Sequence, residues 1–156
     1  MAANPATRRV YVANYNGNDL TVIDTVVDAA VATIPLPGAM PSGVVVNPET
    51  NPVYVGHLLT YNVTAIDGAT NEVIRTMMVG AQPRGMAADP IGNRIYVANS
   101  ATDSVSVIDG ATNAVGGGGA RGQDARQCRC QSRRRSRLRG QPGRQQPVSD
   151  RHRHQR

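Results

Sequence analysis

NPATRRVYVAN (4–14) returns as NPETNPVYVGH (47–57) and again as DPIGNRIYVAN (89–99). Downstream, LTVID (20–24) returns as VTAID (63–67) and VSVID (105–109), and DGATNEV (67–73) returns as DGATNAV (109–115). The landmarks agree on offsets of 43 and then 42 residues. The one-residue difference falls in the connecting stretch, where IPLPGAMP (34–41) is one longer than MMVGAQP (77–83). Strings that recur in order at a constant spacing define an internal repeat, and the repeat decides the fold.

Each unit reads as four short strands. SGVVV (42–46) and RGMAA (84–88) are apolar and end at Asn-Pro or Asp-Pro. PVYVGH and RIYVAN alternate Val or Ile with Tyr and Ala, the period-two pattern of a half-buried strand. VTAID and VSVID form the third class and EVIRTMM (72–78) the fourth. Between the third and fourth lies Asp-Gly-Ala-Thr, where Asp-Gly is expected to supply the positive-φ residues of a tight hairpin. YNGND (15–19) is a second Asn/Gly turn, and proline falls only between strands. Four antiparallel strands every 40 to 45 residues is the arithmetic of a β-propeller blade. A β-sandwich does not return the same strings at a fixed offset. The expected fold is all-β: an incomplete β-propeller with blades at about 1–40, 41–82 and 83–115, followed by a disordered tail at 116–156.

YVAN, VID, DGATN and Pro-x-Gly with a following Asn-Pro, in that order, resemble the YVTN-type β-propeller repeat of surface-layer-like proteins. The resemblance covers residues 1–115. It implies a ring of about seven blades in secreted or cell-surface proteins of bacteria and archaea, acting as adhesive or interaction platforms. Some related propellers house redox enzymes, but the matched positions are strand and turn positions and imply no catalytic residue.

Composition divides the chain. Residues 1–116 carry five arginines and nine carboxylates, and residues 117–156 carry twelve arginines and two aspartates. The formal charge of +6 therefore belongs to the tail. There is no Lys, Phe or Trp, so the core is expected from Val, Ile, Leu, Met, Ala and five tyrosines. No run approaches the roughly 18 apolar residues of a membrane span, and no signal peptide is visible. Met1-Ala-Ala-Asn-Pro matches Met86-Ala-Ala-Asp-Pro, so the chain is expected to begin inside a blade, with any export signal upstream.

The tail DARQCRCQSRRRSRLRGQPGRQQPVSDRHRHQR (124–156) invites sharper readings. Arginine codons are mostly CGN, and a shifted frame permits YVAN at 138, VID at 149 and the proline of Asn-Pro at 132. Each lies 42 residues after its counterpart at Tyr96, Val107 and Pro90. The tail is expected to be a fourth blade read out of frame after the GGGG run at 116–119. RRRSRLR (133–139) would attract polyanions only non-specifically, since no aromatic is present to stack a base. Cys128-x-Cys130 and His152-x-His154 lack the spacing of structural zinc ligands. No metal or cofactor is expected.

In the body, Asp24, Asp67, Gly68, Asp109 and Gly110 read as turn residues, one hairpin per blade. Asn14, Tyr15, His57 and Asn99 sit at or beside the end of the second strand and are the candidate loop interaction positions. The Asn62-Val63-Thr64 sequon has meaning only in a eukaryotic secretory context. The expected function is a non-enzymatic surface or secreted scaffold binding a protein or cell-surface polymer, with edge-to-edge self-association through exposed strands. Two alternatives stay open. A quinoprotein-like or lactonase-like enzyme would need polar residues at the channel, where the inner strands offer only Asn47 and Asp89. The other is a cytoplasmic protein-interaction propeller.

Overall fold

A computed structural model describes residues 1–121. The Cys128/Cys130 and His152/His154 pairs, the arginine run and the out-of-frame reading of the tail lie outside the described residues. The first sheet contains β1 (Ala2–Asn4), β2 (Arg9–Asn14), β3 (Asp19–Asp24) and β4 (Ala29–Pro35). The second contains β5 (Pro41–Val46), β6 (Pro52–His57), β7 (Asn62–Asp67) and β8 (Val73–Met78). The third contains β9 (Pro83–Asp89), β10 (Arg94–Asn99), β11 (Ser104–Asp109) and β12 (Ala114–Arg121). Each sheet is a four-stranded antiparallel meander in which every strand pairs with its sequence neighbour. The described residues form three blades of a β-propeller, and β5 packs against both β1 and β9, so the first strand of each blade is the inner one.

β12 runs to Arg121, six residues past the expected end of the third blade at 115. A backbone ladder needs amides and carbonyls rather than side chains, so pairing with β11 continues past Val115, with Gly116 opposite Val107 and the ladder resuming after Gly119. Ser104 meets Arg121 and Val105 meets Ala120, across a bulge between Val105 and Val107.

The turns depart from expectation in one respect. Gly68 and Gly110 do not take positive φ; among the described residues no glycine does. Eleven non-glycine residues do, and they repeat with the blades: Arg8, Asn51 and Asn93; Asn18, Tyr61 and Asp103; Asp28, Asn71 and Asn113; Met40 and Gln82. Asn and Asp tolerate this left-handed region better than other side chains. These residues sit in turns, and six of them (Arg8, Asn18, Met40, Tyr61, Gln82 and Asn93) aim a carbonyl at the start or end of a neighbouring segment. Thr25 N donates to Arg8 O (2.9 Å), Gly110 N to Asn93 O (2.8 Å) and Val79 N to Tyr61 O (3.0 Å). Gly68 and Gly110 serve close approach instead: a Cβ there would collide with the Asn51 carbonyl or the Asn93 side chain. The aspartates behave as turn residues, with Oδ1 of Asp24, Asp67 and Asp109 accepting the amides of Val26, Ala69 and Ala111.

Two apolar clusters form the core, and each straddles a blade boundary. Tyr11, Leu20, Val22, Ile34 and Leu36 of the first blade meet Val46, Val53, Val55 and Ile66 of the second. Tyr54, Val63, Ala65 and Met77 of the second meet Ile95, Val97 and Ile108 of the third. Alternation along a strand sends one set of side chains to each neighbour.

A polar clamp accompanies each cluster. Asn4 Nδ2 donates to Asn51 Oδ1 and Asn47 Nδ2 to Asn93 Oδ1, both at 2.7 Å. The tyrosine hydroxyl of β2 or β6 reaches the β3–β4-type turn of the next blade: Tyr11 to Gly68 O (3.3 Å), Tyr54 to Asn113 Oδ1 (2.9 Å). Burial, reinforced by Asp109, raises the Tyr54 hydroxyl above its ordinary value and keeps it a donor. Asn47 is fully buried and also caps its own turn, Oδ1 accepting Glu49 N at 3.1 Å. Replacing Asn47 with Ala leaves Asn93 Oδ1 with only the long contact from the Thr50 hydroxyl (3.4 Å) and should lower stability by about 2 kcal/mol. The measurement is urea unfolding with a reduced midpoint and unchanged slope; an unshifted midpoint would remove the clamp's role.

Candidate functional site

The second strand of every blade ends in a polar residue, and its side chain folds back onto the third strand. Asn14 Nδ2 donates to Thr21 Oγ1 (2.7 Å), His57 Nε2 pairs with Thr64 Oγ1 (2.9 Å), and Asn99 Nδ2 donates to Ser106 Oγ (2.9 Å). The spacing is seven residues in each case, the diagonal of one hairpin. A linker glycine lies over the end residue in the second and third blades: Gly38 covers the His57 ring and Gly80 the Asn99 amide, so closely that a Cβ would clash. His57 and Asn99 are therefore buried beneath the linkers, while Asn14 is half-buried and Tyr15 exposed. Of the four candidate positions, Tyr15 is the one that presents its side chain to solvent.

His57 has an unusual setting. It is buried, its Nδ1 has no hydrogen-bond partner, and desolvation lowers its pKa to about 4. The ring is thus neutral at pH 7 and acts as a hydrogen-bonded core residue. Asp109 is fully exposed, and the Thr112 amide and hydroxyl, with Ala111, hold its carboxyl below the ordinary range.

The rim built from the turns after β2, β6 and β10 carries a residue that the sequence reading passed over. Tyr61 takes φ 53 and is 43% exposed. The matching residues are Asn18 and Asp103, which suit that conformation. Aligning the repeats at this turn would have shown an aromatic where the other copies hold Asn and Asp. Leu59 and Tyr15, 57% and 45% exposed, lie at the same end of their blades.

Open hollows lie on the opposite rim. One of about 270 Å³ is lined by Arg94, Asp109, Thr112 and Val115, and one of about 220 Å³ by Asn51, Pro52, Asp67 and Ile74. They occupy the same place on the third and second blades, so they are features of the blade. Among the described residues no three His, Cys, Asp or Glu side chains converge as metal ligands.

Comparison with solved structures returns β-propeller proteins. Hydrazine synthase of Kuenenia stuttgartiensis matches 74% of this chain and 33% of its own at 22% identity, with a TM-score of 0.70. The dihydro-heme d1 dehydrogenase NirN, solved in complex with DHE, matches 71% of this chain and 24% of its own at 18% identity, TM-score 0.62. Apo AztD from Citrobacter koseri matches 66% and 29% at 22% identity, TM-score 0.55. The match thus spans a quarter to a third of those chains. At these identities the likeness establishes the fold. No family model and no curated protein matches the chain.

The depressed His57 pKa fixes a pH dependence. Well above pH 6.5 the ring is neutral in both folded and unfolded chains. As pH falls from there toward 4, the unfolded chain takes up a proton that the folded chain refuses. Stability then drops by at most ~1.4 kcal/mol per pH unit from this group. His57→Asn, which installs the residue of the other two blades, should flatten urea midpoints between pH 6.5 and 4.5 while leaving pH 8 stability within ~1 kcal/mol. An identical slope in the variant would show that the ring does not titrate this way.

Proposed function

We propose that this chain is a blade array of a YVTN-type β-propeller, a non-enzymatic scaffold of a secreted or surface protein, with the β2–β3-type turn rim as its contact surface. Tyr61 carries the reading. A bulky aromatic in the left-handed region is strained by roughly 1 kcal/mol or more, and such strain persists where a site makes use of it. Asn in the first blade and Asp in the third show that the turn itself has no need of an aromatic. A half-exposed tyrosine beside Leu59, with Tyr15 on the neighbouring blade, offers apolar area and hydroxyls at low entropic cost, the composition of binding surfaces. The partner class is a protein or a prokaryotic cell-wall polymer. The likeness to hydrazine synthase and NirN brings the fold, and no residue of their chemistry is carried over to this chain.

Co-sedimentation of the full chain with purified bacterial wall sacculi retaining their attached polymers tests the reading. The wild-type chain should pellet, and Tyr61→Asn should weaken retention by roughly tenfold. The same substitution should raise stability by about 0.5–1 kcal/mol, since it relieves the left-handed strain. Wild-type protein left in the supernatant would sink the wall-polymer reading. Unchanged retention in Tyr61→Asn would move the contact surface elsewhere.

A further inference from the structure

The two formed blade boundaries share a polar clamp, and the two outward faces of the array hold its unmatched halves. On the third blade, Asp89 stands where Asn4 and Asn47 stand, and Tyr96 where Tyr11 and Tyr54 stand. On the first blade, Arg8 stands where Asn51 and Asn93 receive those asparagines, and Asp28 where Asn113 receives the Tyr54 hydroxyl. Within the array the clamp joins neutral amides. At the outward faces it becomes a carboxylate opposite a guanidinium, and a phenol opposite a carboxylate.

The apolar halves match in the same way. Val10, Val12 and Ile23 occupy on the first blade the positions of the buried Val53, Val55 and Ile66, yet remain half-buried. Tyr96, Val105 and Val107 occupy on the third blade the positions of the buried Tyr54, Val63 and Ala65, and are also half-buried. Arg94 stands where Arg9 Nη1 donates to the next blade's Gly68 carbonyl at 2.7 Å.

We infer that the third blade of one copy docks on the first blade of a second copy, Asp89 against Arg8 and Tyr96 against Asp28. Two copies so joined at both faces close a six-bladed ring. Six lies within the four to eight blades that form closed propellers, and cyclic closure covers both outward faces of both copies. Asp89 is equipped for the contact: Oδ1 accepts Ile91 N and Gly92 N at 3.2 Å, as Asn47 Oδ1 caps its own turn. Its second oxygen is left to meet Arg8 as the Asn47 amide meets Asn93. Arg8 itself is exposed, held at φ 55 where the other blades use Asn. The inference rests on the blade repeat and is independent of the role of Tyr61.

Light scattering coupled to size exclusion, on the full chain and its charge-reversed variants, tests it. Wild-type protein should have the mass of two copies. Arg8→Asp and Asp89→Arg each place like charges at both junctions and should weaken self-association at least tenfold. Aspartate tolerates the left-handed backbone at position 8, and circular dichroism checks that each variant keeps its strands. Mixing the two variants restores an opposite-charge pair at both junctions, so the mixture should regain the two-copy mass. A single-copy wild-type mass, three copies, unchanged single variants, or a mixture that fails to associate would each overturn the inference while leaving the blade fold intact.

Discussion

A blade of this protein has two apolar faces and cannot cover either by itself. Strand alternation sends Val53, Val55 and Ile66 one way and Tyr54, Val63 and Ala65 the other, so burial is obtained only against a neighbouring blade. The rest of the structure follows from that constraint. The core lies at the boundaries between sheets, and the polar residues nearest the boundary serve to fix register. Apolar packing is non-directional, so two blades could slide on it. The Asn47–Asn93 bond, between buried or half-buried amides, sets one alignment.

The same economy explains how chemically capable side chains are used. His57, Thr64, Asn99 and Ser106 have the functional groups of an active site, yet each is spent on a diagonal bond within one hairpin. The linker glycines then seal the ends of the second strands from above. The position tolerates Asn or His because both place a nitrogen within reach of a hydroxyl seven residues on. Solvent-facing variety is concentrated in the turns, where Tyr15, Leu59 and Tyr61 break the pattern of their repeats.

The blade was legible because the repeat names its own strands: Tyr54 and Tyr96 with their flanking valines announce the second strand, and the Asp-Gly-Ala-Thr strings mark the hairpin. The turn chemistry was harder to see. Asp-Gly pairs suggest positive φ at glycine, yet Asn71 and Asn113 take it, because Gly68 and Gly110 are needed for contact with the preceding turn. That contact joins segments about 17 residues apart and leaves no local trace. Burial of His57 was hidden for the same reason, since its cover comes from Gly38 in the preceding linker. The end of the third blade was drawn at Val115 because glycines carry no strand signal, while β12 continues on backbone pairing alone. Tyr61 was visible in principle, but only to a comparison of turns rather than strands.

Among the described residues every strand pairs with the one beside it in sequence, and the main contacts beyond a blade are with the next blade. The search for native partners is therefore short-ranged, which favours fast folding for an all-β chain. It also makes the array behave as a one-dimensional lattice, in which a blade formed anywhere templates its neighbour. Loss at one boundary weakens the flanking blades first and fades with distance. Within a single copy the middle blade is the one held on both faces, so before any pairing of copies it is the natural nucleus and the outer two open first.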